Sequence, residues 1–237
     1  MEEKSLTTIN KEPFAKGYYN FYKLFLLFMI GSLIGDFYEV ALHFLKHGEF
    51  ITRSALIYGP FNPIYGIGFV MFVLILGKVK KTYQLFLLGS GIGGLFEYSC
   101  SFIQEKLFGS LSWDYKDLFL NINGRTTVII AMFWGILAVL VVKFIAPFFS
   151  SMIERLPASF GKPMTIFLVV FMVLNIIISA LAVYRDSERH KNIAPKNQID
   201  VFLDKYYPRE TIEKVYNNAV YVSTKDKTTE ANAFKLL

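Results

Sequence analysis

The chain holds a single cysteine, Cys100, which excludes an internal disulfide and any metal site built from several thiolates. It contains no G-x-x-x-x-G-K-S/T run, so it has no phosphate-binding loop of its own. Neither G-x-S-x-G nor H-E-x-x-H occurs, so the commonest signatures of a serine hydrolase and a zinc protease are missing. The stretch Gly89-Ser-Gly-Ile-Gly-Gly lies inside an apolar run and reads as helix packing rather than a nucleotide loop. No cofactor is expected from these patterns. No internal repeat is evident along the chain. A cleavable signal peptide is also not expected, because residues 1–23 are polar and the apolar run that follows is longer than a signal core. That run reads as an uncleaved anchor.

What the chain has in quantity is apolar sequence. Hydrophobic residues make up 54% of it and the mean hydropathy is +0.40, concentrated in long runs. A bilayer core about 30 Å thick needs about 20 apolar residues per helix, and 237 residues leave room for about five such helices. The expected fold class is therefore all-α, a polytopic transmembrane helical bundle. Five spans are expected, at residues 24–45, 55–77, 83–103, 127–149 and 164–184. The expected organisation is a polar N-terminal arm (1–23), the bundle (24–184) and a soluble, partly disordered tail (185–237). The net charge of +6 is modest. The lysines cluster beside the apolar runs, which suits anionic lipid headgroups and not nucleic acid.

The second span begins irregularly, with Gly59-Pro60, Asn62-Pro63, Gly66 and Gly68. Prolines and glycines at this density predict a broken or re-entrant start, which survives at membrane depth only when protein or water satisfies its backbone. In the tail, Ile199, Phe202, Leu203 and Tyr206 follow helical spacing. Pro208 ends that pattern, another turn is expected over 210–216, and residues 223–237 read as disordered.

Loop charges bear on orientation. Lys4, Lys11, Lys16 and Lys23, then Lys78, Lys80 and Lys81, then Lys143, Arg155 and Lys162 share one side. That bias favours a cytoplasmic N terminus in the cell membrane. Five crossings then put the tail outside, although Arg185, Arg189, Lys191 and Lys196 follow the last span directly. A hidden sixth crossing would remove the conflict. In either orientation, the loops after the first and third spans lie on one side, and they hold most of the unusual polar residues.

Those residues define the candidate site. Asp36, Glu39 and His43 fall within one arc of the first span. Glu97, Ser101, Gln104 and Glu105 share a face of the third. Ionised groups in such segments are costly and normally face a bundle interior or a wet cavity. The substrate or ion site candidates are Glu39, Arg53, Glu97, Glu105, Asp114 and Arg125. The arginines are the expected counter-ions, because a guanidinium fork pairs bidentately with a carboxylate. The bland alternative is that these acids pair with arginine only to fix the bundle. A metal held by Asp36, Glu39 and His43 is a third option. Trp113, Tyr115 and the expected Asn123-Gly124 turn read either as interfacial anchors or as a lid whose Asp114 and Arg125 face the acids.

Several segments in order carry a resemblance: Gly31-Ser-Leu-Ile-Gly35 with Glu39, Tyr58-Gly-Pro-Phe-Asn-Pro-Ile-Tyr-Gly66, Glu97-Tyr98, Glu105-Lys-Leu-Phe108, Trp113-Asp-Tyr115, Asn121-Ile-Asn-Gly-Arg125 and Trp134-Gly135. Over about residues 24–150 the chain resembles the CmpB-like membrane proteins, labelled type IV ABC-transporter membrane components. Asp36 departs from that pattern, which favours a bulky apolar residue there. The resemblance implies a permease-like transport component, not itself an enzyme, with membrane lipids and a separate ATPase subunit as partners. The residues alone leave two other classes open: a membrane-embedded enzyme acting on a lipid or envelope precursor, and a non-catalytic scaffold.

Overall fold

The computed structural model describes residue 14, residues 20–217 and residues 219–221. The disorder expected for residues 223–237 lies outside them, as does most of the N-terminal arm. The helices are α1 (Phe21–His47), α2 (Pro63–Leu76), α3 (Thr82–Phe108), α4 (Val128–Leu140), α5 (Ala146–Glu154), α6 (Ala158–His190), α7 (Gln198–Tyr206) and α8 (Arg209–Val215). A π-turn, Val141–Ile145, joins α4 to α5 without a gap. Four continuous helices are long and apolar enough to cross a membrane: α1, α3, α4 through α5, and α6. The chain is a polytopic α-helical membrane protein. Among the described residues strand is confined to two two-stranded pieces, β1 (Ser110–Leu111) with β4 (Val220–Tyr221), and β2 (Asn121–Ile122) with β3 (Thr126–Thr127).

The expected second span is the short one. Helix α2 has 14 residues, about 21 Å of rise against a core of about 30 Å. Its lead-in, residues 54–62, is unwound as the sequence predicts. Gly59 takes φ +78°. The Asn62 side chain caps α2 by accepting from the Ile64 N–H at 3.2 Å, and Pro63 sits in the first turn, where its missing N–H is harmless. The unwound backbone is satisfied from α6. The Tyr58 N–H donates to Asn175 Oδ1 at 3.2 Å, Asn175 Nδ2 donates to the Tyr58 carbonyl at 2.7 Å, and the Ile57 N–H donates to Ser179 Oγ at 3.0 Å. Asn175 and Ser179 are buried. The break therefore lies inside the protein, where irregular backbone is tolerated.

The fourth span extends past its expected end at Phe149 to Glu154. Pro147 has no N–H to offer the Lys143 carbonyl, and its ring would crowd that oxygen; the wider π-turn just before it relieves the clash.

Contrary to the sequence reading, the chain contains an internal repeat. Leu27, Phe28, Gly31, Ser32, Ile34, Gly35 and Glu39 of α1 recur 58 positions later in α3 as Leu85, Phe86, Gly89, Ser90, Ile92, Gly93 and Glu97. Their partner helices match at a different offset of 69, with Tyr65-Gly66 answering to Trp134-Gly135. The packing is equivalent atom for atom. A Cβ on Gly66 would meet Ser32 Oγ at 2.2 Å and the Phe28 carbonyl at 2.6 Å; one on Gly135 would meet Ser90 Oγ at 2.2 Å and the Phe86 carbonyl at 2.6 Å. Gly35 lies against the Tyr65 side chain and Gly93 against Trp134. Helices α1–α2 and α3–α4 are two copies of one antiparallel hairpin, running in the same sense. Tyr65 stacks on its own equivalent, Trp134, with ring centroids 5.9 Å apart. Equivalent residues touching one another is what a two-fold relation produces.

The tail docks beside the two motif loops. Tyr58 and Tyr207 share a hydroxyl hydrogen bond of 2.7 Å, the Tyr216 hydroxyl donates to the Ala55 carbonyl at 3.2 Å, and β4 pairs with β1. Among the described residues there is no sixth crossing. Helix α6 runs through the expected boundary at Tyr184 to His190, and charged residues fasten α7 to its end. Arg185 grips Asp204 bidentately at 2.9 and 2.8 Å, Arg189 reaches Asp186 and Asp204 at 2.9 Å each, and Lys196 reaches Glu188 at 2.7 Å. At the opposite end, buried Lys23 at the start of α1 pairs with Glu154 at the end of α5.

Candidate functional site

The repeat brings Glu39 and Glu97 to equivalent places. Each lies two helical turns beyond Ser32 or Ser90, on the face that packs against its partner helix. The Tyr65 hydroxyl donates to Glu39 Oε1 at 2.6 Å. At the equivalent position the Trp134 indole N–H is directed at the Glu97 carboxylate. Stacking of Tyr65 on Trp134 joins the two acid–aromatic pairs into one cluster on the hairpin boundary, with Tyr38 flanking Tyr65 and Phe96 flanking Trp134 edge-on.

Glu97 is the more enclosed acid, at 7% exposure. Besides Trp134 it accepts from the Tyr115 hydroxyl at 3.0 Å and from Thr126 Oγ1 at 2.9 Å. Tyr115 belongs to the loop between α3 and α4, so the loop closes over Glu97. Burial, and then the neighbouring Glu97 charge, push the Tyr115 phenol well above its ordinary range and keep it a donor. Glu39 is half-buried and has Tyr65.

The expected arginine partners are not at these two acids. Arg125 pairs with Glu105, two turns beyond Glu97 on α3, and donates to Ser101 Oγ at 3.2 Å. Its guanidinium also lies over the Phe102 and Tyr98 rings, 5.4 and 5.8 Å from their centroids. Arg53 donates to Asn217 Oδ1 at 3.3 Å, turned toward the tail and away from Glu39. Phenol, indole and hydroxyl donors reach the deep carboxylates first, and both arginines remain at the loop surface.

Glu105, Asp114 and Arg125 do meet. With Ser101, Lys116 and Asn123 they line a polar cavity of about 180 Å³. The loop that shapes it is held by Asn121, whose Nδ2 donates to the Lys116 and Leu118 carbonyls at 2.9 Å each and whose Oδ1 accepts from the Gly124 N–H at 3.0 Å. Asn123 and Gly124 form the expected tight turn, with φ of +53° and +68°. Trp113 Nε1 donates to the Arg125 carbonyl at 3.0 Å, so this tryptophan fixes the loop rather than only marking an interface. The six candidates thus divide into a deep pair, Glu39 and Glu97, a surface cavity with Glu105, Asp114 and Arg125, and Arg53 apart from both.

Asp36 and His43 do not join Glu39 in a metal centre. The His43 ring lies tilted against that of His47, with centroids 4.6 Å apart, and among the described residues no three potential ligands come together. Tyr65, Thr126 and Trp134 are not among the expected site residues, although Tyr65 and Trp134 lie in segments that carry the resemblance. The signal that finds them is the repeat: an aromatic residue precedes the packing glycine in both partner helices.

A family model described as "Putative ABC-transporter type IV" matches residues 26–180. The chain belongs to that family. The match takes in both hairpins, the motif loops and most of α6. No curated protein and no solved structure matches the chain.

Proposed function

We propose that this protein is a permease-like subunit of an ABC-type transport system in the cell membrane, and that a separate subunit supplies ATP hydrolysis. The observation that carries this reading is the pair of equivalent carboxylates, Glu39 and Glu97, at the boundary of two like-oriented hairpins. Transporters built from parallel repeats place their substrate or coupling-ion sites at that boundary. Two acids held by neutral donors, with no basic side chain among the described residues hydrogen-bonded to either, suit a cation or a proton as the group handled. Glu105, Asp114 and Arg125 form the vestibule on the loop side. On this reading the N terminus lies in the cytoplasm. Lys78, Lys80, Lys81, Arg155 and Lys162 weight that end, against Arg185, Arg189 and Lys196 beyond the membrane-spanning part of α6.

The test is purification of the full chain from the membrane that produces it, with ATP turnover measured on the eluted complex. A co-eluting ATPase whose turnover falls when Glu39→Gln and Glu97→Gln are combined supports the reading. A chain that elutes without ATPase activity refutes it and leaves the enzyme and scaffold classes.

A further inference from the structure

The two hairpins differ at one place, and the difference opens a cavity. Helix α4 begins at Val128, four residues before the position equivalent to Pro63. Residues 128–131 are therefore helical where their equivalents, residues 59–62, are unwound. The facing position on the first helix of each hairpin differs in step. In the second hairpin it is Gly94, and a Cβ there would meet Ala131 at 3.1 Å, so the extra turn of α4 packs tightly on it. In the first hairpin the same position is Asp36. The turn that would cover it is missing.

What remains is a cavity of about 480 Å³ between α1, the unwound segment and α8. Its walls are mostly apolar, formed by Phe37, Val40, Phe50, Leu56, Ile57 and Val215, with the hydroxyl residues Thr52 and Ser54 beside them. Asp36 also lines it, is 3% exposed, and has an oxygen, Oδ1, sealed from solvent with no hydrogen-bond partner among the described residues. No lysine or arginine is among the lining residues. The charge that acts on Asp36 is Glu39, one turn on, which adds to the negative potential. A carboxylate in apolar surroundings is costly unless a partner neutralises it. Among the described residues no such partner lines the cavity. Its volume falls within the range of small-molecule sites, and apolar walls with one oriented polar group are their usual composition.

We infer that the Asp36 cavity is a binding site for an amphiphile with a protonated amine, its ammonium on the Asp36 carboxylate and its hydrocarbon body against Phe37, Val40 and Leu56. The rim places the source in the membrane. Phe37 and Phe50 are 61% and 75% exposed, and Asp36 lies about 17 Å along α1 from its loop-side end at 1.5 Å per residue. This site is distinct from the Glu39–Glu97 cluster, and the inference does not rest on a transport role.

The test uses the full chain in phosphatidylcholine nanodiscs at neutral pH. The probes are dodecylamine, which is protonated there, and dodecanol, which matches its length without the charge. Dodecylamine is expected to raise the Tm of the parent in a saturable way, and dodecanol to do so far less. Asp36→Asn, which keeps shape and removes charge, is expected to weaken dodecylamine about tenfold, the scale of one charge-assisted hydrogen bond. Val40→Phe fills the cavity, leaves Asp36 intact and is expected to abolish the saturable shift, so the inference stays testable if Asp36→Asn folds poorly. Equal affinity of the parent for both probes overturns the inference. So does unchanged dodecylamine binding in either variant, or no saturable shift in the parent.

Discussion

Replacing Arg125 by alanine removes three things at once. The ion pair with Glu105 goes, the hydrogen bond to Ser101 goes, and the guanidinium leaves the faces of Phe102 and Tyr98. A hydrogen bond to a charged group contributes about 1.5–3 kcal/mol when buried. Here the arginine and glutamate side chains are 16% and 30% exposed, so solvent screens part of that. The ring contacts add about 0.5–1 kcal/mol. A net loss of about 2–3 kcal/mol follows, or a fall in Tm of about 4–12 °C for a chain of this size. Glu105→Gln in the same background should restore part of the loss, because the carboxylate stranded by the first change is no longer charged. The double mutant should then be less damaged than the sum of the two singles by about 1 kcal/mol. Thermal unfolding in nanodiscs reads all four corners of the cycle. If Arg125→Ala melts with the parent, or if the singles add to the double, the arginine does not hold this loop and the vestibule assignment loses its support.

Gly66→Ala and Gly135→Ala should each cost about 1–3 kcal/mol, the range for overpacking a filled contact, and should cost the same within error because each new methyl meets the same two atoms. Unequal Tm losses would contradict the equivalence of the hairpins. Docking of α7 should weaken in acid. The hydrogen bonds from Arg185, then those from Arg189, hold the Asp204 carboxyl below its ordinary value, although partial burial opposes them. The stabilisation is then complete above about pH 4, near the value of a free aspartate. It is lost as pH falls through the lower folded value. Hydrogen exchange of α7 should show the loss, and Asp204→Asn should show it already at neutral pH. In a Cys100→Ser background, Ala194→Cys but not Val79→Cys should react with a membrane-impermeant maleimide on intact cells, and the reverse pattern would invert the proposed orientation.

Much of the fold was legible because membrane insertion writes it in composition. The four long helices follow from runs of apolar residues, and the break before α2 follows from the two prolines and Gly59. The docking of the tail was partly legible, since Leu203 is the member of the expected apolar stripe that is buried, at 2%, while Ile199, Phe202 and Tyr206 stay exposed. The π-turn was not, because one proline within an apolar run does not reveal how its helix accommodates it. The repeat was overlooked for a physical reason as well. Its two halves match at offsets of 58 and 69, since the second hairpin carries the longer loop, so no single period aligns all four helices. Most of its matches are also common membrane residues, and only the glycine–serine pairs and the acids stand out. Arginine was assigned to the deep acids by charge alone, whereas reach decided the outcome: a tyrosine on the facing helix can touch Glu39 directly, and Arg125 on the loop reaches the outermost acid of α3.

The two hairpins therefore begin alike and end differently, and the differences sit on one side of the molecule. In the second, the first turn of α4 is complete, Gly94 lies beneath it, and the 113–125 loop closes over Glu97 with Tyr115 and Thr126. In the first, the corresponding turn is unwound, Asp36 faces the space it leaves, and Glu39 has a single phenol and partial exposure. The unwound backbone is held from α6 by Asn175 and Ser179 and from α1 by the Ser32 carbonyl, which accepts from the Asn62 N–H at 3.0 Å. The symmetric scaffold thus carries its two acids in unlike surroundings, Glu97 enclosed by the 113–125 loop and Glu39 more accessible, joined through the stacked rings of Tyr65 and Trp134.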